Sequence, residues 1–394
     1  MNILYLGYFC NELFFNQLVN NGSKGSHARQ QLEAKLLNGM IKVLNGDKMD
    51  IISYLPEVKS MHCDVGEDAY YDINIKYLWC NKKKINSILK ALLKNIYFIA
   101  KWSKGKKEKV ILTYSANPVH IIPAFLLRRI CNIKVVTLCS EVSIYRRKDN
   151  INFIGKMSRK ISSFLDNSFD GYILLTEGMN EIINKKAKPY LIMEGIAEEQ
   201  KVFDRVIKKM AILYAGGLTP DNGIEILLEG FLQLDRKDIE LWICGDGPLE
   251  NMVKDYSKMY KNIIFYGIIP NDVVQEMEKE VVLLISPRFS KNEFTKYSFP
   301  SKTIEYMSSG TPTVLTCLQG IPDEYFKYTY LLEDETSAGI KCLLEKIFEE
   351  DINKREGMGA KAREFVLRNK SSVIQGKRVI HFMKDVVELK NHCS

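Results

Sequence analysis

Short β-rich runs alternate with stretches of helical period from one end of this chain to the other, and that alternation constrains the fold most. It is the pattern of parallel sheets built from βαβ units, so the fold class is α/β. In the first half the strand candidates are Ile3–Leu6, Asp50–Leu55, Ile73–Leu78, Val110–Tyr114, Lys134–Cys139, Gly171–Leu175 and Tyr190–Met193. Between them lie amphipathic segments such as Leu32, Leu36, Leu37, Met40, Val43 and Leu44, stopped near Gly46.

The second half restarts the pattern. Ala211–Ala215 reads as a strand, followed by a glycine-rich turn and a helix over Gly223–Leu234. Glu240–Cys244 leads into a second glycine-rich turn and a further helix, and Ile263–Tyr266, Val281–Ser286 and Thr313–Thr316 complete the set. The polar stretch Ala197–Lys209 has no strand pattern and reads as the connection between halves. From Ser337 to about Lys390 the pattern is almost purely helical, ending in an amphipathic segment, Val373–Leu389. The expected organisation is therefore a first domain over 1–196, a second over 197–372, and a final helix over 373–394 that packs back on the first domain. Two sheets joined by one linker imply a cleft between domains, where small-molecule sites are common.

Composition narrows the classes. Hydrophobic residues make up 46% of the 394, enough for two cores. The start, MNILYLGYFCNELFF, lacks the basic segment, apolar stretch and cleavage site of a signal peptide. No apolar run reaches the ~18–20 residues that cross a bilayer. The nine cysteines form no CxxC pair, and Cys139 and Cys244 sit in apolar strands, which points to reduced thiols and a cytoplasmic protein. The formal net charge of +8 favours an anionic partner without naming it.

Chemistry concentrates in Ser298–Gly310 (SFPSKTIEYMSSG). Ser298 can cap a helix, Pro300 suits its first turn, and Gly310 suits its end. Lys302 and Glu305, three apart, share one face near the positive end of that helix. Free amides and a lysine bind a phosphate, and a carboxylate one turn deeper accepts hydrogen bonds from a ribose diol. The same spacing also fits an ordinary surface ion pair. Arg288 follows a strand, at the sheet edge where open α/β sheets bind ligands, and Lys291, Glu293 and Lys296 come within a few residues of it. Gly216 and Gly217 (AGGL) and Gly245 (GDGP) each follow a strand and precede a helix, where glycine lets the backbone approach a phosphate or sugar. A plain tight turn is the alternative at each. No G-x-G-x-x-G follows the first strand, which counts against a dinucleotide site.

In the first half, Gly25, Ser26 and His27 lead into the first long helix, whose amides can face the cleft; a flexible loop with a Ser26 cap reads equally well. Glu141 follows a strand and precedes Tyr145, Arg146 and Arg147, a setting for an acceptor-site or catalytic carboxylate or for a surface ion pair. Positive charge gathers in Lys82–Lys109, where Ile85, Ile88, Leu89, Leu92, Leu93, Ile96, Ile99 and Trp102 form an apolar stripe edged with lysines. That composition fits an interfacial membrane helix as well as a buried helix with solvated ends. It lacks the aromatic-studded strands of a nucleic-acid platform. The five histidines have no metal-ligand spacing, and no P-loop or nucleophile elbow occurs.

These pieces together resemble the donor domain of retaining glycosyltransferases of family 4 (group 1 type), which have the GT-B fold of two Rossmann-like domains with parallel sheets facing a cleft. ILYAGGLTPDNGIEILLEGF, LWICGDGPLE, IIFYGIIP and SFPSKTIEYMSSGTPTV followed by GIPDEY carry the resemblance, in the family's order, over roughly 200–330. It implies that Glu305 binds the ribose hydroxyls and that Lys302, Ser301, Gly216 and Gly217, helped by Arg288, hold the diphosphate. It implies that the turn at Gly267 and Ile268 faces the base. Three departures stand out. Tyr297 occupies the first position of the family's E-x7-E pattern, with Glu293 too far to replace it; Leu218 and Asn222 occupy its usual arginine and lysine positions; and Glu141 aligns with its acceptor-side histidine. Phosphate charge then rests on Arg288, Lys296 and Lys302.

The resemblance implies a retaining, metal-independent glycosyltransferase without a cofactor, the nucleotide-sugar being a substrate. It implies a lipid-linked saccharide acceptor at the inner membrane face, in capsule, O-antigen, lipopolysaccharide or exopolysaccharide synthesis, with 82–109 as the contact to an anionic membrane. A nucleotide-sugar epimerase of the same fold and a basic nucleic-acid-binding protein are the alternatives; nucleic acid is not the expected partner.

Overall fold

A computed structural model describes the chain except residues 21–26, 57–66, 71–72, 81–84, 106, 116, 143–155, 158–159, 162–163, 199–206 and 390–394. It divides into two compact units, one of Met1–Ile196 with Ser372–Ser394, the other of Ala197–Ser371. The linker stretch 199–206 lies outside the described residues.

The first unit holds an eight-stranded sheet, β3-β4-β2-β1-β5-β6-β7-β8. Its strands are β1 (Asn2–Gly7), β2 (Lys48–Pro56), β3 (Glu67–Tyr70), β4 (Ile73–Cys80), β5 (Lys109–Tyr114), β6 (Ile133–Cys139), β7 (Gly171–Leu174) and β8 (Tyr190–Ile192). β1, β5 and β6 are buried almost throughout, because a parallel sheet covered on both faces needs continuous apolar runs. The sequence pattern missed β3, a short polar strand that pairs antiparallel with β4 at the sheet edge. Helices α1 (Glu12–Asn20), α2 (His27–Lys42), α3 (Ile85–Trp102), α4 (Pro118–Leu127) and α5 (Glu177–Ile183) connect the strands.

The second unit carries six parallel strands, β9 (Lys209–Ala215), β10 (Glu240–Cys244), β11 (Ile263–Gly267), β12 (Val281–Ser286), β13 (Thr313–Thr316) and β14 (Tyr330–Leu332). Their order, β11-β10-β9-β12-β13-β14, is that of a doubly wound sheet, reversing direction between β9 and β12. Helices α6 (Ile224–Gln233), α7 (Glu250–Met259), α8 (Asn271–Glu280), α9 (Ser301–Ser309), α10 (Asp323–Phe326), α11 (Ser337–Glu349) and α12 (Ile352–Lys370) complete it. Residues entering and leaving this unit lie together, since the Ala197 amide donates to the Lys370 carbonyl at 2.8 Å.

The last helix, α13 (Ser372–Glu388), belongs to the first unit and lies along α2. Its Gln375 side chain donates to the Gly195 carbonyl at 2.9 Å, Arg378 donates to the Ile192 carbonyl at 3.0 Å, and Lys384 pairs with Asp47 at 2.9 Å. Val379, Met383 and Val386 are buried in the core beside Leu36, Leu37 and Met40 of α2. The two helices approach so closely that a Cβ at Gly376 would run into the backbone of Gly39 and Met40. Gly376→Ala is therefore expected to destabilise the first unit by about 1–3 kcal/mol, the cost of overpacking a dense contact. Denaturant unfolding followed by hydrogen exchange checks this: exchange should rise in the first unit and not in the second, and an unchanged midpoint would contradict the packing.

Candidate functional site

In the second unit the topological switch lies between β9 and β12, and the turn after each of these strands carries candidate residues. Beyond β9, Gly216 and Gly217 begin a turn laced to its neighbours. Gly216 N–H donates to the Cys244 carbonyl at 3.0 Å, Leu218 N–H donates to the Asp246 carbonyl at 2.6 Å, and Gly245 N–H donates to the Gly267 carbonyl at 2.8 Å. Gly245 and Gly247 have φ of 136° and 150°, and a Cβ at either would strike the carbonyl of Gly216 or Leu218. These glycines thus have a structural requirement beside any ligand, the close approach of one loop to the next. The Gly216 amide is already spent on the β10 end.

Arg288 stands two residues past β12. Its guanidinium lies 4.5 Å over the Phe294 ring, and its buried Nε meets no hydrogen-bond partner among the described residues. Burial holds it below the usual arginine range, with Tyr214 and Asp221 nearby acting in the opposite sense. The loop around it is fixed to the first turn, because Phe289 N–H donates to the Asp221 carbonyl at 3.1 Å and the Asn292 side chain donates to Asp221 at 3.2 Å. The Tyr214 hydroxyl and the Asn222 amide both donate to the Gly217 carbonyl, at 2.8 and 2.7 Å. Asn222 therefore braces the turn that precedes it.

Helix α9 begins at Ser301, with Pro300 in the capping position and no side-chain cap. The expected Ser298 cap is absent: Ser298 Oγ is buried and bonds to nothing among the described residues. The extended backbone at Ser298 and Pro300 delays the helix, so the amides of Ser301 and Lys302 lie in its first turn without intrahelical partners. Gly310 closes the helix in the left-handed conformation, φ 81°, as its position implies. Tyr306 is fully buried; its hydroxyl accepts from the Ala215 amide at 2.8 Å and donates to the Ala215 carbonyl at 3.3 Å. The helix is thereby bolted to the end of β9, next to Gly216.

Lys302 and Glu305 do pair, at 2.8 Å, but the pair has a third member that the local sequence does not reveal. Lys302 Nζ also donates to Glu278 at 3.2 Å, and the Glu278 side chain, on α8, is 0% exposed. Burial lowers the Lys302 pKa and the two carboxylates raise it, with the net position above the ordinary lysine value.

The other predicted residues are more peripheral. Gly267 ends β11 at φ 67°, and Ile268 after it is 76% exposed. Glu293 opens a short 3-10 turn, Glu293–Tyr297, and is exposed, while Lys296 and Tyr297 are half-buried with the ammonium 5.9 Å over the ring.

In the first unit the sheet reverses direction between β1 and β5, and an aromatic and polar cluster missed by the sequence reading sits there. Glu33 of α2, 0% exposed, accepts from the Tyr5 hydroxyl and from the Tyr8 amide, each at 2.8 Å. Arg29 lies 4.7 Å over the Tyr8 ring and 5.8 Å over that of Tyr114, and the Tyr114 and Ser140 hydroxyls share a hydrogen bond of 2.6 Å. Asn117 donates to the Tyr8 hydroxyl, and buried His120 stacks on Tyr54 at 3.9 Å. Glu141 is exposed, two residues past β6, beside Ser140 of this cluster. His27 opens α2, while Gly25, Ser26 and Tyr145 lie outside the described residues. Among the described residues no group of three or more His, Cys, Asp or Glu is placed to hold a metal ion.

Desolvation pushes the Glu33 carboxyl up to about 7, against hydrogen bonds from Tyr8 and Tyr5 and the charge of Arg29, which pull it down. A carboxyl raised on folding favours the folded state below its unfolded value near 4.5, and that advantage is lost as pH rises through about 7. The rise corresponds to roughly 3 kcal/mol. Glu33→Gln does not ionise, so the stability of wild type relative to this variant should fall by that amount between pH 4.5 and 7. Urea midpoints of both proteins across that range test it, and a constant difference would mean that Glu33 titrates normally.

Residues 209–346 match the family described as Glycosyl transferases group 1. No curated protein matches the chain in sequence. Among solved structures, sucrose-phosphate synthase from Thermosynechococcus elongatus is 14% identical, with a TM-score of 0.66 over 98% of this chain and 99% of that one. HepE of Anabaena in complex with UDP and glucose is 11% identical, with a TM-score of 0.63 over 98% and 100%. The lipopolysaccharide outer core galactosyltransferase WaaB is 14% identical, with a TM-score of 0.62 over 98% and 99%. At such identities the likeness is one of fold, and that fold is GT-B.

Proposed function

We propose that this chain, a group 1 glycosyltransferase in its second unit and GT-B in fold, moves a sugar from a nucleoside diphosphate sugar to a saccharide with retention at the anomeric carbon. The observation that carries the reading is the assembly at the β9–β12 switch. There Arg288, whose buried Nε has no hydrogen-bond partner among the described residues, and the first turn of α9 flank the glycine turns, and Glu305 lies one turn deeper on α9. That is a receptor for a diphosphate followed by a ribose. The complex of HepE with UDP and glucose supports a donor of this kind.

In this reading Arg288 and the free amides of α9 take up the negative charge that grows on the diphosphate as the glycosidic bond breaks, which is the dominant contribution in such transfers. The scheme needs no divalent cation, and activity should survive a chelator. The acceptor binds at the β1–β5 switch of the first unit, where Arg29, seated over the Tyr8 and Tyr114 rings, and the exposed Glu141 offer polar contacts.

Donor binding tests the site directly. Glu305→Ala should weaken nucleoside diphosphate binding on the order of 10- to 100-fold, the loss of one or two hydrogen bonds to a charged group. Calorimetry with UDP, GDP and ADP checks this, and wild-type affinity in the variant would remove the site from consideration. Product analysis by NMR, with the anomeric configuration of the new bond compared with the donor's, distinguishes retention from inversion.

A lipid-linked acceptor for a capsule, O-antigen or exopolysaccharide is the substrate class we infer, and α3 supplies the reason. Ile85, Leu89, Leu93 and Tyr97 recur every four residues on its outer face and are 61%, 52%, 67% and 61% exposed. Lys90, Lys94, Lys101 and Lys104 are exposed beside them, and no acidic residue occurs from 73 to 107. Buried Ala91, Asn95 and Ile99 occupy the inner face, so the outer stripe is surplus to the core. An apolar stripe edged by cations only suits an anionic bilayer surface. None of the described helices is long and apolar enough to cross a membrane. Leu89→Glu with Leu93→Glu should abolish co-flotation with phosphatidylglycerol vesicles while leaving nucleotide binding intact; unchanged flotation would end the membrane proposal.

A further inference from the structure

We propose that Glu278 is a positioning residue for the ribose of the donor, acting through Lys302 on Glu305, and that Lys302 is not a phosphate ligand. The inference rests on the reading of α9 as the nucleotide site.

The geometry is a chain of three charges. Glu278 Oε1, Lys302 Nζ and Glu305 Oε1 are joined by contacts of 3.2 and 2.8 Å. Glu278 comes from α8 and is 0% exposed, whereas Lys302 and Glu305 are 23% and 19% exposed. The buried end also faces the β10 terminus, since the charges of Glu278 and Lys302 both act on the thiol of Cys244. Tyr306, which bolts α9 to β9, feels Glu278 too.

An ionised carboxylate held in the interior is costly unless a cation or hydrogen bonds compensate it, and at Glu278 the cation is Lys302. Glu278 therefore draws Lys302 inward and fixes its ammonium from outside the helix. Without that anchor, Lys302 and Glu305 would form an i,i+3 pair on one helix, an arrangement with little preference for a single geometry. With it, Glu305 Oε1 is committed to one direction, which orients the whole carboxylate one turn inside the helix start. An ionised carboxylate in a fixed plane is what a ribose hydroxyl needs for a short, charge-assisted hydrogen bond.

The charge balance points the same way. One ammonium between two carboxylates leaves the trio formally at −1, so Lys302 brings no surplus positive charge to a diphosphate. That charge falls to Arg288 and the helix amides. The two roles for Lys302 predict opposite signs. If Lys302 served phosphate, neutralising Glu278 would release it and tighten diphosphate binding. If it serves Glu305, neutralising Glu278 loosens the reading of ribose and leaves the phosphate contribution alone.

The experiment measures affinities of wild type, Glu278→Gln and Glu305→Gln for UDP, GDP and ADP, their 2′-deoxy counterparts and their monophosphates. Wild type should prefer the ribo form of the nucleotide it binds by on the order of tenfold, one hydrogen bond to a charged acceptor. In Glu278→Gln and in Glu305→Gln that preference should shrink to about twofold or less, with the diphosphate-to-monophosphate ratio unchanged. A merely structural role for Glu278 would weaken every nucleotide alike and keep the ribo preference. The double variant Glu278→Met, Lys302→Met guards against misfolding, because replacing a buried ion pair by apolar residues of similar size is often neutral. It should lose the ribo preference as Glu278→Gln does. Retained preference in either variant, or tighter diphosphate binding in Glu278→Gln, overturns the proposal. If Glu305→Gln also keeps the preference, or wild type binds no nucleotide, the site itself is misread.

Discussion

The two hydrogen bonds between the Tyr306 hydroxyl and the backbone of Ala215 carry the second unit's site. They satisfy an amide and a carbonyl at the very end of β9, where the ladder runs out and buried backbone groups would otherwise be costly. They also fix α9 to the strand whose next residues are Gly216 and Gly217. From that point the loops tie to one another in sequence, Gly216 to Cys244, Leu218 to Asp246, Gly245 to Gly267. The glycine turns, Arg288 and α9 thus form one rigid rim, with Lys302 and Glu305 referenced to the strands rather than to a surface helix. Such preorganisation matters for charge stabilisation, because groups already in place need not reorganise as the reaction proceeds.

Much of this was legible in the sequence where the signal is local. The alternation of strand and helix patterns located nearly all the strands, since buried parallel strands must be continuous apolar runs. Lys302 and Glu305 were visible as a pair because three residues is one helical turn, and Gly310 ended its helix for the reason any left-handed C-terminal position does. Glu278 was not visible. It lies 24 residues before Lys302, and only the packing of α8 on α9 brings them together. Ser298 looked like a cap from residue type alone, yet Pro300 sets the extended backbone that postpones the helix. Gly245 reads in the sequence as a glycine for ligand approach or for a plain tight turn, while its first obligation, shared with Gly247, is to the carbonyls of a neighbouring loop.

The first unit repeats the lesson with aromatic residues. Tyr5, Tyr8, Tyr54, Tyr114 and His120 are scattered over more than a hundred positions and carry no spacing that a reader could use. The sheet collects them around Glu33 at the point where strand order reverses. Both units therefore invest their polar and aromatic side chains at the same topological place, although their sequences share no motif there. Parallel sheets leave a crevice wherever neighbouring crossovers turn opposite ways, and side chains at strand ends are the ones available to fill it.

The division of the chain has a consequence for how it is made. The first unit is interrupted: its sheet is translated before residue 197, but α13 follows 372. Val379, Met383 and Val386, which close the core over α2, reach it only after the whole second unit has emerged. The second unit, by contrast, is one contiguous segment whose two ends meet in the hydrogen bond from Ala197 to Lys370. The first unit meanwhile waits with an apolar groove along Leu36, Leu37 and Met40. The first sheet to be translated is thus the last to have its core closed, because the 17-residue helix that seals it over α2 is the final element of the chain to be made.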